Sequence, residues 1–167
     1  MALESLFSGA ALQAVDADGG LRLPDFVLRT LARRSDARRL LFAPHEVDPC
    51  MTGYDPGYEA WLFAEAERRR LREEALGVAA GAHHRRTRRT FGAAESAGVD
   101  EAGWILLPPM TRRRAGVEGA ALLIGTGGSF EIWNPEVARA ADDDELRRLA
   151  AFALGEQYPR GESEVAE

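Results

Sequence analysis

Hydrophobic and polar positions alternate in two short stretches of this chain that resemble one another. In the first, Leu21 and Leu23 face one way and Gly20 and Arg22 the other; in the second, Trp104 and Leu106 take the places of Gly20 and Arg22. That period of two predicts a strand with one face toward a core. Each strand follows an Asp and a Gly three residues apart and ends in Pro. The Asp side chain can accept backbone N–H bonds across a tight turn, Gly supplies the positive φ of the return, and Pro stops the strand and opens a helix. A shift of 84 positions superimposes Phe7 on Phe91, Val15 on Val99, Asp16 on Asp100, Gly19 on Gly103 and Pro24 on Pro108. The chain thus repeats itself, and the two turns are expected to be related by an approximate twofold axis.

Further elements follow from the pattern around each copy. After the first come a short helix in DFVLRTLARR, with Phe26, Val27, Leu28 and Leu31 on its buried face, and a strand from Arg39 to Pro44. Tyr54-Asp55-Pro56 answers Trp133-Asn134-Pro135 at a shift of 79, leaving about five extra residues in a surface loop around His45 to Thr52. The region 58–90 reads as helical. Glu65 and Arg69, Arg69 and Glu73, and Arg70 and Glu74 stand four apart, so this basic run is self-neutralised and reads as a solvated face. Gly77 and Gly81 predict a break before a second helix, His83 to Thr90, whose Arg85, Arg86, Arg88 and Arg89 have no acid close in sequence. The second copy continues with a short helix in PPMTRRRAG, a buried strand from Ala120 to Ile124 and a strand from Phe130 to Trp133. A last helix, with Asp142 and Glu145 at capping-box spacing and Leu146, Leu149 and Ala153 on one face, ends near Gly155.

Composition limits the function classes. The 167 residues, 46% hydrophobic, suffice for a sizeable core. Apolar runs such as Ala120 to Ile124 are too short to span a bilayer, and Glu4 interrupts any leader-like pattern near Met1, so a cytoplasmic location is expected. Of the net charge of −6, −5 falls in residues 142–167, which leaves −1 for the remainder and does not exclude a polyanionic partner. All 21 basic residues are arginine, which fits either phosphate binding or a codon bias; the abundance of Ala and Gly favours the second.

No enzymatic constellation emerges, and neither a cofactor nor a metal is expected. Cys50 is the only cysteine, and the adjacent His83 and His84 point in different directions on a helix, so no ligand set forms. Gly125, Gly127 and Gly128 are followed neither by a helix nor by Lys-Ser/Thr, which removes the phosphate-cradle reading. Asp142, Asp143 and Asp144 suit a helix N-terminus better than catalysis.

The two D-x-x-G turns, the strand ends LRLP and LLPP, and the stretch GGSFEIWNPE at 127–136 together resemble the MraZ family over roughly Leu6 to Ala141. The resemblance implies an α+β, mainly β fold: two tandem swapped-hairpin units of SpoVT/AbrB type forming a pseudo-twofold β-barrel with flanking helices. The expected divisions are unit 1 at 6–57, a helical connector at 58–90, unit 2 at 91–137, a C-terminal helix at 138–155 and a disordered acidic tail at 156–167. It also implies a nucleoid-associated regulator that binds the promoter of the division and cell-wall gene cluster as a ring of subunits. Trp61, Phe130, Trp133 and the last helix are expected to supply the apolar surface for that ring.

The family's turn continues D-x-x-G-R, and its arginine is the residue expected to meet DNA. Here Gly20 and Trp104 stand at those positions, while Asp16, Gly19, Asp100 and Gly103 hold the turns. Arg22, two residues beyond Gly20 on the same side and about 7 Å away, is the candidate to compensate. Arg85, Arg86, Arg88 and Arg89 are candidates for phosphate contacts, or serve structure. Trp104 either stacks on an exposed base or meets a neighbouring subunit, and the closed duplex favours the second. The alternative function is a ring-forming scaffold that has lost or weakened specific DNA binding.

Overall fold

The computed structural model describes residues 5–155, so the segment expected to be a disordered tail lies outside the described residues. Within them the elements run β1 Ala10–Ala14, β2 Gly20–Arg22, α1 Asp25–Arg34, β3 Arg39–Pro44, β4 Met51–Tyr54, α2 Pro56–Ala75 and α3 Ala80–Thr87. A π-helical turn at Arg88–Gly92 then leads into β5 Glu95–Gly98, β6 Trp104–Leu106, α4 Pro109–Ala115, β7 Ala120–Gly125, β8 Phe130–Trp133, α5 Pro135–Arg139 and α6 Asp144–Ala153.

Six strands form an antiparallel sheet in the order β1-β7-β8-β4-β3-β5, and β2 and β6 form a separate two-stranded ribbon. The order reads the same backwards when each strand is exchanged for its counterpart in the other copy. At the centre Met51 stands opposite Ile132 and Gly53 opposite Phe130, which the shift of 79 interchanges. Each copy's first strand pairs outside its own copy, β1 with β7 and β5 with β3. This is the arrangement expected of two equivalent halves around a shared twofold axis. The closed barrel is not found: the sheet is open, with β1 and β5 at its edges. "Mainly β" also needs amending, because the helices, among them the 20 residues of α2, hold more of the chain than the strands.

The strand sequences follow from what covers each face. Ala121 and Leu123 of β7 enter the main core with Leu21, Leu23, Phe26, Leu40, Phe42, Phe130 and Ile132, while Leu122 and Ile124 enter a second cluster with Trp133, Ala138 and Ala150. A strand covered on both sides reads as continuous apolar sequence, which is why Ala120 to Ile124 shows no alternation. Phe130 packs edge-on against Phe7 and Phe42, with centroids 5.2 and 6.4 Å away. Gly53 makes room for it, since a Cβ there would lie 2.4 Å from the Phe130 Cζ.

Three local expectations shift. The side chain that caps α6 belongs to Asp143, whose Oδ1 accepts from Leu146 N at 2.9 Å, rather than to Asp142. Helix α3 starts at Ala80, three residues before His83, and passes into the π-helical turn at Arg88. Phe130 and Trp133 are buried in the two clusters. Trp61 and, on the last helix, Phe152 are exposed, together with Phe63 and Leu71 of α2 and with Trp104 and Leu106 of β6.

Candidate nucleic-acid interface

The repeated turns fold alike, down to individual hydrogen bonds. Asp16 Oδ1 accepts from Asp18 N at 2.9 Å and Gly20 N at 2.8 Å; Asp100 Oδ1 accepts from Ala102 N and Trp104 N, each at 2.9 Å. Gly19 and Gly103 return the chain with φ of 93° and 84°, a region that side chains resist. Each glycine carbonyl accepts from the other copy, Gly19 O from Leu107 N and Gly103 O from Leu23 N, both at 2.9 Å. Both motif aspartates thus accept backbone N–H bonds within their own turns.

Between the turns, β2 and β6 pair antiparallel with Leu21 opposite Ile105, Gly20 opposite Leu106 and Arg22 opposite Trp104. Leu21 and Ile105 point into the core, and Gly20, Arg22, Trp104 and Leu106 form the outer face, as the alternation predicts. The register changes the meaning of Arg22. It stands beside Trp104, across the strand gap from the second copy's substituted motif position, so it is closer to that site than its sequence distance from Gly20 implied. Its guanidinium lies 3.7 Å from Asp25 Oδ1, an exposed pair that contributes about 0–1 kcal/mol and leaves the arginine free to exchange partners.

Acidic residues surround this face. Asp16, Asp18, Asp25, Asp100 and Glu101 are all exposed on or next to the two turns. Two arginines that sequence reasoning missed bind the backbone of the turns: Arg112 Nη1 donates to Ala17 O at 3.0 Å, and Arg38 donates to Val99 O and Asp100 O. These contacts link residues 95 and 62 positions apart, beyond any local pattern.

The four arginines of the second cluster are not equivalent. Arg86 pairs with Glu73 of α2, and that hydrogen bond holds the Glu73 carboxyl below the usual carboxylate range. Arg89 donates to His45 O at 3.0 and 2.7 Å. The expectation that no acid lies near this cluster therefore fails for Arg86, because α2 folds back against α3. Arg85 and Arg88 are exposed and make no ion pair among the described residues. The cluster rests on α2 and β3, whereas the ribbon rests on β1 and β5.

No group of His, Cys, Asp and Glu among the described residues could hold a metal ion. The Cys50 thiol is buried, and desolvation, aided by Glu131 and Asp48, pushes its pKa far up, which disfavours the thiolate. Among the described residues no helix is long and apolar enough to cross a membrane.

No family model matches the chain. Individual relatives do. The transcriptional regulator MraZ of Pseudomonas aeruginosa is 31% identical over 147 residues, covering 86% of this chain and 90% of its own length. That of Marinobacter nauticus is 30% identical over 157 residues, covering 90% and 99%, and that of Stenotrophomonas maltophilia 29% over 138 residues, covering 81% and 86%. At this identity over nearly the whole of both chains, with the two turns on which the resemblance rests folded alike, the protein belongs to the MraZ family of transcriptional regulators.

Proposed function

We propose that the chain is a DNA-binding transcriptional regulator that acts in the cytoplasm, at the nucleoid, on the promoter of the division and cell-wall gene cluster, as a ring of subunits and without catalytic activity. The observation that carries this reading is the β2–β6 ribbon, a two-stranded element of the kind that fits a major groove, with Arg22 on its outer face. In this reading the units at 6–57 and 91–137 supply one strand each, and the arginines at 85 and 88 add phosphate contacts. Binding is weak, because acids flank the ribbon and both motif arginines are replaced. It is also strongly salt-dependent, since phosphate contacts dominate what remains.

Anisotropy on the promoter fragment and on a scrambled fragment, at two salt concentrations, tests this. Arg22→Ala weakens binding. Trp104→Arg tightens it about tenfold, within the 1–3 kcal/mol of a bidentate guanine contact, because position 104 already carries a side chain that reaches outward. Gly20→Arg helps less, since its Cβ would lie 2.3 Å from Asp16 Oδ2 and displace the turn's acceptor. Exposed Trp104 and Leu106 favour a second reading, a scaffold whose ribbon meets protein. That reading prevails if the natural chain fails to bind at low salt while Trp104→Arg binds; if neither binds, the ribbon is not a DNA reader.

Both readings require self-association, for which the exposed Phe63 and Leu71 of α2 and Phe152 of α6 provide surface. Light scattering is expected to give a mass several times the 18.2 kDa of one chain. A monomer at micromolar concentration removes both.

A further inference from the structure

The pseudo-twofold axis relates Tyr54 to Trp133, yet the two halves of the sheet are covered very differently. Trp133 lies under α5 and α6, and its Nε1 donates to Glu131 Oε2 at 2.7 Å. Tyr54 is 1% exposed, and its hydroxyl has no hydrogen-bond partner among the described residues; Thr52 stands where Glu131 would be. Helix α2, which covers this half together with α3, has no buried residue. Between these helices and β3–β4 lies a cavity of about 440 Å³ that Tyr54 and Thr52 line. This is the size range of small-molecule sites and far more than one water requires.

A second unpaired group belongs to another residue that lines this space. His83 Nδ1 is buried without a partner and also lines the cavity. A buried polar atom left unpaired costs about 1–3 kcal/mol, so two on one cavity call for a common explanation. The remaining lining combines an apolar wall, Trp61 and Leu62, with Arg69, Arg72, Arg86 and Arg89. Arg69 and Arg86 are matched by Glu46 and Glu73, and Glu65 by Arg68. Arg72 makes no ion pair among the described residues, which leaves the cavity an excess of positive charge.

We propose that this cavity binds a small aromatic or apolar anion, its body against Trp61 and Leu62, its charge facing Arg72, and its polar atoms paired with the Tyr54 hydroxyl and His83 Nδ1. Burial raises the Tyr54 pKa to about 12, so its hydroxyl is present as a donor across the physiological range. The site is distinct from the ribbon and stands whether or not the ribbon reads DNA.

Fluorescence titration with anilinonaphthalene sulfonate, beside its uncharged analogue phenyl naphthylamine, tests the assignment on the intact chain. The sulfonate is expected to saturate at one site per chain and to bind more tightly than the neutral analogue. Tyr54→Phe weakens it about tenfold, the scale of a hydrogen bond to a charged group, and Arg72→Ala several-fold, while Arg22→Ala changes nothing. Because Tyr54→Phe removes a hydroxyl that the protein itself leaves unpaired, the ligand-free variant is at least as stable to urea as the parent. Non-saturating binding, equal affinity for the neutral analogue, or a Tyr54→Phe variant that loses stability while binding unchanged overturns the proposal.

Discussion

Arg34→Ala is expected to lower the unfolding free energy by about 3–5 kcal/mol, a large part of the 5–15 kcal/mol typical of a domain. Arg34 joins the end of α1 to the start of α2. Its Nε lies 3.3 Å from Asp55 Oδ1, with the two side chains 6% and 2% exposed. Its Nη1 donates to Gly128 O at 2.8 Å, and its guanidinium lies over the rings of Phe7 and Tyr58, 5.0 and 5.6 Å from their centroids. Truncation leaves the Asp55 carboxylate buried without its counter-charge, and that uncompensated charge accounts for most of the cost. Arg34→Lys restores little, because a point charge cannot reach carboxylate, carbonyl and rings together. Replacing both partners, Arg34→Met with Asp55→Leu, recovers most of the stability. Urea denaturation of the four proteins decides it: a loss under about 1 kcal/mol in Arg34→Ala means that water reaches Asp55 and the pair does not hold the junction.

The second large effect separates two glycines that are equivalent in sequence. Gly103→Ala is expected to cost about 2–4 kcal/mol and Gly19→Ala about 1–2 kcal/mol. Both hold positive φ, so both lose the backbone term. They differ in what covers them. A Cβ at position 103 would lie 2.7 Å from Leu28 Cδ1, whereas at position 19 the nearest atom, Leu107 O, is 3.4 Å away. Leu28 and Arg112 are themselves counterparts at the shift of 84, so each half's helix covers the other half's turn, one with a packed aliphatic and one with a longer arginine. Thermal unfolding of the two variants measures the difference. Equal losses would show that Leu28 moves aside and that only the backbone strain matters.

The duplication, the turn chemistry of Asp16 and Asp100, the ribbon's inner and outer faces and most helices were legible in the chain because each rests on a period or a turn spanning a few residues. The family was legible on the same signals. The partner of each strand was not. That β1 joins β7, that the sheet stays open, and that Arg22 faces Trp104 depend on contacts between halves 84 positions apart, which no local pattern encodes. The arginine cluster was misjudged for the same reason: Glu73, 13 residues from Arg86, comes alongside only because α2 and α3 fold together. Local stereochemistry thus determined the elements and their pseudo-symmetry. Tertiary packing decided what breaks that symmetry, covering Trp133 and leaving Tyr54 over a cavity, because side-chain burial depends on which elements meet and not on which residues are neighbours in sequence.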